Sequence, residues 1–160
     1  MNETEYPPEL RNFRVMTSSR DIDLIHHIEL MRIKFPEAEI HIGCDSQNIG
    51  KRTIYVTAVV FRFQGNGAHV IYRKEKIPRI NDLWTKLWGE TERSVMLANF
   101  IHENLGFRVK QIDLDYNSDP SYPSHKLLGA SEGYIKSLGY VPMAKPNLLM
   151  AVWAANVLCH

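Results

Sequence analysis

Hydrophobic residues recur every three or four positions in four parts of the chain, and this spacing predicts amphipathic helices. The first predicted helix covers residues 20–34, with Asp21 in its first turn and Pro36 preventing its continuation. The second begins at Asp82 and ends at Gly106. The last two run from Ser124 to Lys136 or Leu138 and from about Asn147 to the C-terminus.

Runs of β-branched and aromatic residues between these segments predict five strands. They cover Ile40–Cys44, Thr53–Phe63, His69–Lys74, Val109–Asp115 and Tyr140–Ala144. The first three predict an antiparallel meander, because residues 45–50 have turn composition and Gly65-Asn66-Gly67 is a hairpin signal. The last two alternate with helices. The pattern therefore predicts an α/β fold with a five-stranded mixed sheet, preceded by an extra helix.

The chain has 160 residues, which suits a single hydrophobic core. Residues 1–17 contain Pro7-Pro8 and show no clear period, so they are predicted to form an N-terminal arm. Residues 18–160 are predicted to form one domain. Gly43, inside an apolar strand, indicates a close approach of another backbone or helix.

Composition predicts a soluble cytoplasmic protein with no membrane association. No apolar run approaches the roughly 20 residues that span a bilayer, and the polar N-terminus lacks a signal-peptide core. Cys44 and Cys159 are too few for a disulfide framework, and Cys44 is predicted to be a small core residue. The net charge of +1 does not indicate a strongly basic nucleic-acid-binding domain, although a local basic patch is compatible with it.

Acidic residues lie near the ends of two predicted strands and on the helix between them. Asp45 follows the first strand, Asp113 and Asp115 end the fourth, and Glu90 and Glu92 lie on the helix after the meander. The carboxyl ends of strands in α/β sheets form the crevice where ligands usually bind. If the first and fourth strands are neighbours, Asp45 and Asp115 lie close together.

Close carboxylates repel each other, and a divalent cation removes that penalty. Mg²⁺ or Mn²⁺, which accept oxygen ligands, are the cofactors that such a cluster predicts. The alternative is that each acid is a solvated turn or helix residue. Asp113 and Asp115 alternate with Ile112 and Leu114, as polar residues do in any half-buried strand.

Several short motifs resemble a family of ribonuclease-H-like proteins from bacteria and phages, the YkuK-like family. They are Ile-Gly-Cys-Asp-Ser-Gln at 42–47, Leu-Trp-Gly-Glu-Thr-Glu at 87–92, Asp-Leu-Asp-Tyr-Asn-Ser-Asp-Pro at 113–120, Ser-His-Lys-Leu-Leu at 124–128 and Gly-Tyr-Ile-Lys-Ser-Leu-Gly-Tyr at 133–140. Lys145-Pro146 and Trp153-Ala154-Ala155 extend the resemblance, which covers the chain from about residue 13.

The resemblance implies a ribonuclease H-like fold, whose strand and helix order βββαβαβα agrees with the order predicted above. It also implies metal ligands: Asp45, one helix glutamate and one aspartate of the fourth strand. Glu92 is preferred to Glu90 because it continues the i, i+4 row from Trp88, and Asp115 is preferred to Asp113 because it is nearer the strand end. The predicted catalytic residues are therefore Asp45, Glu92 and Asp115.

One departure from the ribonuclease H pattern concerns the last helix. Enzymes of that superfamily usually supply a fourth acid there, but no Asp or Glu follows Glu132. The neutral side chains that could replace this fourth acid are His160, Asn156 and Asn147. Of these, His160 is the predicted metal ligand. A neutral ligand would weaken one metal position.

Nucleic acid is the predicted partner, as RNA, an RNA–DNA hybrid or DNA. The candidate contacts are Ser46, Gln47, Arg73, Lys74, Lys76 and Lys126. The alternative for the basic residues is a solvated sheet edge guarded by charge. Trp84, Trp88 and Trp153 are predicted to pack in the core, and the alternative is that they stack on bases. The sequence thus leaves three hypotheses: a metal-dependent nuclease, a nucleic-acid or protein-binding module with the same fold, and an oligomeric scaffold.

Overall fold

The computed structural model describes residues 6–65, 67–116, 119–145 and 149–159. After a 3₁₀ helix at Pro8–Arg11, the strands in these ranges are β1 (Asn12–Val15), β2 (Asp21–Asp23), β3 (Glu39–Ile49), β4 (Arg52–Arg62), β5 (Ala68–Pro78), β6 (Gln111–Leu114) and β7 (Pro142–Ala144). The helices are α1 (Leu24–Lys34), α2 (Leu83–Leu105), α3 (His125–Ser137) and α4 (Met150–Cys159).

All of these strands belong to one mixed sheet with the order β2-β1-β5-β4-β3-β6-β7. Strands β3, β4 and β5 form the predicted antiparallel meander. Strand β6 then pairs in parallel with β3, and β7 pairs in parallel with β6. From β3 onward the order is βββαβαβα, so the predicted α/β class and the neighbouring first and fourth predicted strands are both confirmed.

The prediction of five strands is wrong: within the described residues the sheet has seven. The additional strands β1 and β2 lie at one side of the sheet, where β1 pairs with β5 through Arg14↔Tyr72 and Val15↔Ile71. Residues 12–15, which were assigned to the arm, therefore extend the sheet. Phe13 and Val15 alternate with exposed neighbours and enter the core.

Two element boundaries in the structure also differ from those predicted from the sequence. Helix α1 begins at Leu24, because Asp23 rather than Asp21 caps it: the Asp23 carboxylate accepts a hydrogen bond of 3.0 Å from the His26 amide. The polar segment 45–50 is not a turn, since β3 continues through Ile49 as the partner of β4. Asp45 is therefore a strand residue.

The sheet carries helices on both faces. The main core lies between the sheet and helices α1, α2 and α3, while a smaller apolar cluster joins α4 to the other face. Small residues of α4 allow this close packing: a Cβ atom on Gly43 would lie 2.6 Å from the amide nitrogen of Val152. The prediction for Gly43 is thus confirmed, and Cys44 is buried as expected.

None of the helices in the described ranges is both long enough and apolar enough to cross a membrane.

Candidate active site

The sheet register brings Asp45 and Asp115 to the same place. The last pair between β3 and β6 is Gly43↔Asp113, so Asp45 and Asp115 both lie two residues further along neighbouring parallel strands. Beyond that pair β3 still pairs with β4 but no longer with β6, so the β6-facing edge of β3 has no strand partner at Asp45 among the described residues. This end of the sheet, where the two strands separate, is termed the crevice.

Asp45 is held by the last helix. Its side chain is 8% exposed, and its Oδ2 accepts a hydrogen bond of 2.8 Å from the Asn156 side-chain amide on α4. Burial raises the pKa of Asp45 above its ordinary value; the Asn156 hydrogen bond opposes this rise, and the negative charge of Asp115 adds to it. Asp45 is therefore a buried carboxylate with a neutral partner.

Glu90 is the helix acid that reaches this place. It is 4% exposed on α2, and its carboxylate accepts a hydrogen bond from the Ser46 hydroxyl. Burial raises the pKa of Glu90 well above its ordinary value, and the nearby charge of Asp45 raises it further. The Ser46 hydrogen bond and the charge of Lys86 oppose this rise, but they do not cancel the repulsion between the two acids.

The position of Glu92 does not support the preference for it over Glu90, because its side chain lies on the side of α2 that faces away from Asp45. Glu92 is exposed and lines a separate small cavity of about 220 Å³, together with Arg73, Glu75 and Arg93. Residues two positions apart on a helix point to nearly opposite sides, so only one of the two glutamates can face Asp45. The structure selects Glu90.

Asp115 lies immediately after β6 and is half-buried. Its Oδ1 lies 2.7 Å from the ammonium nitrogen of Lys145, the residue that follows β7. This ion pair and the additional charge of Asp45 raise the pKa of Lys145. Lys145 had no predicted role, because its placement depends on the pairing of β6 with β7.

Asp113 anchors helix α4 and is not part of the acidic cluster of Asp45, Glu90 and Asp115. It is 2% exposed, and its Oδ2 accepts a hydrogen bond of 3.0 Å from the Ala151 amide in the first turn of α4. Gln111 donates to its other oxygen at 2.7 Å. Burial raises the pKa of Asp113. Both oxygens are engaged in anchoring α4, so the expectation that Asp113 is a metal ligand is not supported by its position.

The donor chemistry fits one hard divalent cation at Asp45 and Glu90. Across the described ranges, no group of three Asp, Glu, His or Cys side chains is arranged so that it could hold a metal ion. Mg²⁺, however, commonly takes only one or two carboxylates and keeps several waters. The nearby Lys86 only partly offsets the raised pKa of these two buried acids, and a bound divalent ion would supply further positive charge. His160 and Asn147, the other candidate ligands, lie outside the described residues.

Ser46 and Gln47 line the same end of β3. Besides its hydroxyl bond to Glu90, Ser46 accepts through its carbonyl a hydrogen bond of 3.2 Å from the Lys86 ammonium. Gln47 lies two residues beyond Asp45 on the same face of the strand. Its side-chain oxygen is buried and has no hydrogen-bond partner among the described residues. Gln47 is thus an available acceptor close to the acids.

Three of the four predicted basic contacts share one surface. Arg73, Lys74 and Lys76 line a groove of about 1010 Å³ that also contains the acids Asp21 and Asp23, and Lys126 is exposed on α3. Arg73 lies 3.5 Å from Glu75, and Lys74 donates at 3.3 Å to the Leu158 carbonyl of α4.

The prediction that Trp153 packs in the core is wrong. Its side chain is 61% exposed on α4, three residues before Asn156.

Comparison with known proteins identifies the family of the chain. A family model described as ribonuclease H-like matches residues 23–159. The chain belongs to the ribonuclease H-like family. The resemblance of the motifs had pointed to Asp45, Asp115 and Glu92, and the metal-binding role of these acids and of Glu90 stays a prediction. No curated protein and no solved structure matches the chain significantly.

Proposed function

We propose that this ribonuclease H-like protein is a metal-dependent nuclease that hydrolyses phosphodiester bonds in RNA, an RNA–DNA hybrid or structured DNA. The observation that carries the proposal is the meeting of Asp45, Glu90 and Asp115 from three different elements. Their charges act on one another: the charges of Asp45 and Asp115 raise the pKa of Glu90, and Asp115 raises that of Asp45. Such a concentration of negative charge costs stability and is typical of a site that takes a cation.

Asp45 and Glu90 are the residues that would hold Mg²⁺ or Mn²⁺. A bound divalent ion supplies an activated water and stabilises the oxygen that leaves the phosphorus. The protein's own groups orient the site: Asn156 fixes Asp45, and the Ser46 hydroxyl fixes Glu90. Lys86, bonded to the Ser46 carbonyl, adds positive charge beside the acids. The candidate contacts for a nucleotide strand are Gln47, two residues beyond Asp45 on the same strand, and the exposed Trp153, three residues before Asn156.

A second candidate is a nucleic-acid-binding module with weak or no turnover. The position of Asn156 favours it, because a neutral amide meets Asp45 where ribonuclease H enzymes usually place a fourth acid. The near-neutral net charge of +1 does not favour tight electrostatic binding of nucleic acid.

The decisive experiment measures cleavage of labelled hybrid, duplex RNA and branched DNA by the full chain in Mg²⁺, in Mn²⁺ and in EDTA. We expect cleavage only with metal, and its loss in Asp45→Asn, Glu90→Gln and Asp115→Asn. Glu92→Gln is the matched control, because it removes the same charge from the same helix outside the crevice. Calorimetric titration with Mn²⁺ should show binding that Asp45→Asn reduces and Asp119→Asn, a change in an exposed loop, leaves intact.

Cleavage that survives EDTA, or that persists in the Asp45 and Glu90 variants, contradicts a metal-dependent mechanism at this site. Metal and nucleic-acid binding without cleavage of any of these substrates would favour the binding module. Equal effects of Glu90→Gln and Glu92→Gln would show that the cluster is not the site.

A further inference from the structure

We propose that Lys145 is a built-in cation of the site, occupying at Asp115 the position that a second divalent ion would need. The protein would then bind a single divalent ion, at Asp45 and Glu90, and would gain a second one when Lys145 is removed. This inference rests on the proposed metal-dependent function and concerns its stoichiometry. It assigns a role to a residue for which the Lys145-Pro146 motif implied none.

The sheet fixes the position of Lys145. The last register pair between the parallel strands β6 and β7 is Leu114↔Ala144. Asp115 and Lys145 are the next residue on each strand, so they emerge side by side at the same sheet edge. The backbone pairing therefore brings the ammonium to Asp115, and its approach does not depend on the conformation of a long surface loop.

The contact is short and is embedded in the acidic cluster. The Lys145 ammonium nitrogen lies 2.7 Å from Oδ1 of Asp115, whose side chain is 24% exposed. An isolated surface ion pair would contribute little. Here a second acid, Asp45, also acts on the lysine, so the ammonium neutralises more than its immediate partner.

The remaining donors explain why one ion fits and two do not. Asp45 and Glu90 have neutral hydrogen-bond partners, Asn156 and Ser46, which exchange easily for a hard cation. Asp115 has a fully charged partner already. A second ion there would have to displace the ammonium and would meet its positive charge at close range. An ammonium has three donors, so Lys145 can still contact a phosphate oxygen while it holds Asp115.

The test is calorimetric titration of the full chain with Mn²⁺, which reports stoichiometry and affinity without any assay of activity. We expect one ion per chain for the wild type and for Lys145→Arg, which keeps the charge. Lys145→Gln and Lys145→Met should bind a second ion, or bind Mn²⁺ about tenfold more tightly, a difference of about 1.4 kcal/mol.

Lys136→Gln is the matched control. It removes the same charge from a lysine whose ammonium lies 4.0 Å from Glu132 on the surface of α3. It should leave both stoichiometry and affinity unchanged. Circular dichroism of each variant checks folding.

Several outcomes overturn the inference. Two ions bound by the wild type, or identical titrations for the wild type, Lys145→Gln and Lys145→Met, would show that Lys145 does not compete with metal. Loss of folding in both neutral variants would make its role structural. These results leave the proposed nuclease intact if cleavage still requires metal. Absence of Mn²⁺ binding in every protein contradicts the proposed function and this inference together.

Discussion

The side-chain amide of Asn156 donates a hydrogen bond across 2.8 Å to the carboxylate of Asp45, and it joins the last helix to the central strand of the sheet. The two residues are 111 positions apart in the chain. Because an amide carries no charge, it satisfies one oxygen of Asp45 without neutralising it. Asn156 thus orients Asp45 without balancing its charge.

Asn156→Asp should convert this position into an acid. Without metal, a third carboxylate beside Asp45 and Glu90 would repel both, and we expect the free energy of unfolding to fall by about 1–3 kcal/mol. With millimolar Mn²⁺ the loss should be reversed, because the new carboxylate is an additional ligand. Thermal unfolding in EDTA and in Mn²⁺ measures both effects.

The control is Val157→Asp, which adds the same charge on the next, exposed residue of α4. It should change stability little and should show no special response to Mn²⁺. If the two variants behave alike, the effect of Asn156→Asp reflects the charge of the helix and not a contact with Asp45.

Glu90→Gln should stabilise the metal-free protein at neutral pH. Since burial raises the pKa of Glu90 above its ordinary value of 4.5, the folded state binds the proton more tightly than the unfolded state. Stability therefore falls as pH rises through and above that value. Glutamine cannot ionise, so the variant should lose this fall and gain about 1–3 kcal/mol at pH 7. Denaturant unfolding in EDTA between pH 4 and pH 8 measures it.

Glu92→Gln should show no such gain in stability at any pH, because its side chain is exposed on α2. A gain in stability of similar size in both variants would mean that burial of Glu90 is not the cause.

The choice between these two glutamates could have been made from the sequence. Ser94, Leu97 and Ile101 follow Glu90 at positions 4, 7 and 11 and form a small and apolar row, which is the buried side of α2. The corresponding row after Glu92 consists of Met96, Asn99 and Glu103, none of which is buried. The row that begins with Trp84 and Trp88 indicates the wrong side of α2, because Trp84 is itself exposed.

Other features carried weaker local signals. Phe13 and Val15 alternate with polar neighbours, but a strand of four residues close to Pro7-Pro8 gives only a weak pattern. The strand is stabilised by pairing with β5, which lies more than 50 residues away in the chain. Asp45 to Asn48 have turn composition, yet pairing with β4 keeps them extended. The Lys145-Pro146 motif gave Lys145 no role, since only the register of two parallel strands brings it to Asp115.

Gly43→Ala should disturb the site through the backbone. The added Cβ would lie 2.6 Å from the Val152 nitrogen and 2.8 Å from the Ala151 carbonyl carbon, which belong to helix backbone and cannot rotate away. We expect a loss of about 1–3 kcal/mol in the free energy of unfolding, as for overpacked cores, and weaker Mn²⁺ binding as α4 and Asn156 shift.

Gly129→Ala is the comparison, because a Cβ there meets no atom within 4 Å on helix α3. It should stabilise the protein by roughly 0.5–1 kcal/mol through the unfolded chain. Chemical denaturation of both variants measures these opposite changes in the free energy of unfolding. An unchanged free energy of unfolding for Gly43→Ala would contradict the close approach of α4.

The facing imidazoles of His27 and His69 should make stability depend on pH. Their Nε2 atoms are 2.9 Å apart, and burial followed by the neighbouring His69 lowers the pKa of His27 to about 4. The unfolded chain takes up a proton near the ordinary value of 6.5, where the folded state does not. Stability is therefore lost as pH falls from about 6.5 toward 4, with a slope of at most about 1.4 kcal/mol per pH unit from this group.

His27→Gln keeps a hydrogen-bonding group and removes the ionisation, so it should flatten this part of the curve. His26→Gln, on the exposed neighbour, should leave the curve of the wild type unchanged. The measurement is the difference between variant and wild-type unfolding at several pH values, and a parallel curve for His27→Gln would refute the assignment.

The two outer strands of the sheet have a consequence for how copies of this protein behave in a concentrated solution. Both β2 and β7 are only three residues long; β2 carries Asp21 and Asp23, and β7 begins with Pro142. Short strands that bear charge or proline give another chain little unpaired backbone to join. The long apolar strands β3 and β4, which could template such growth, lie between neighbours on both sides. The order of the strands thus protects the protein against edge-to-edge aggregation while leaving the crevice at Asp45 open.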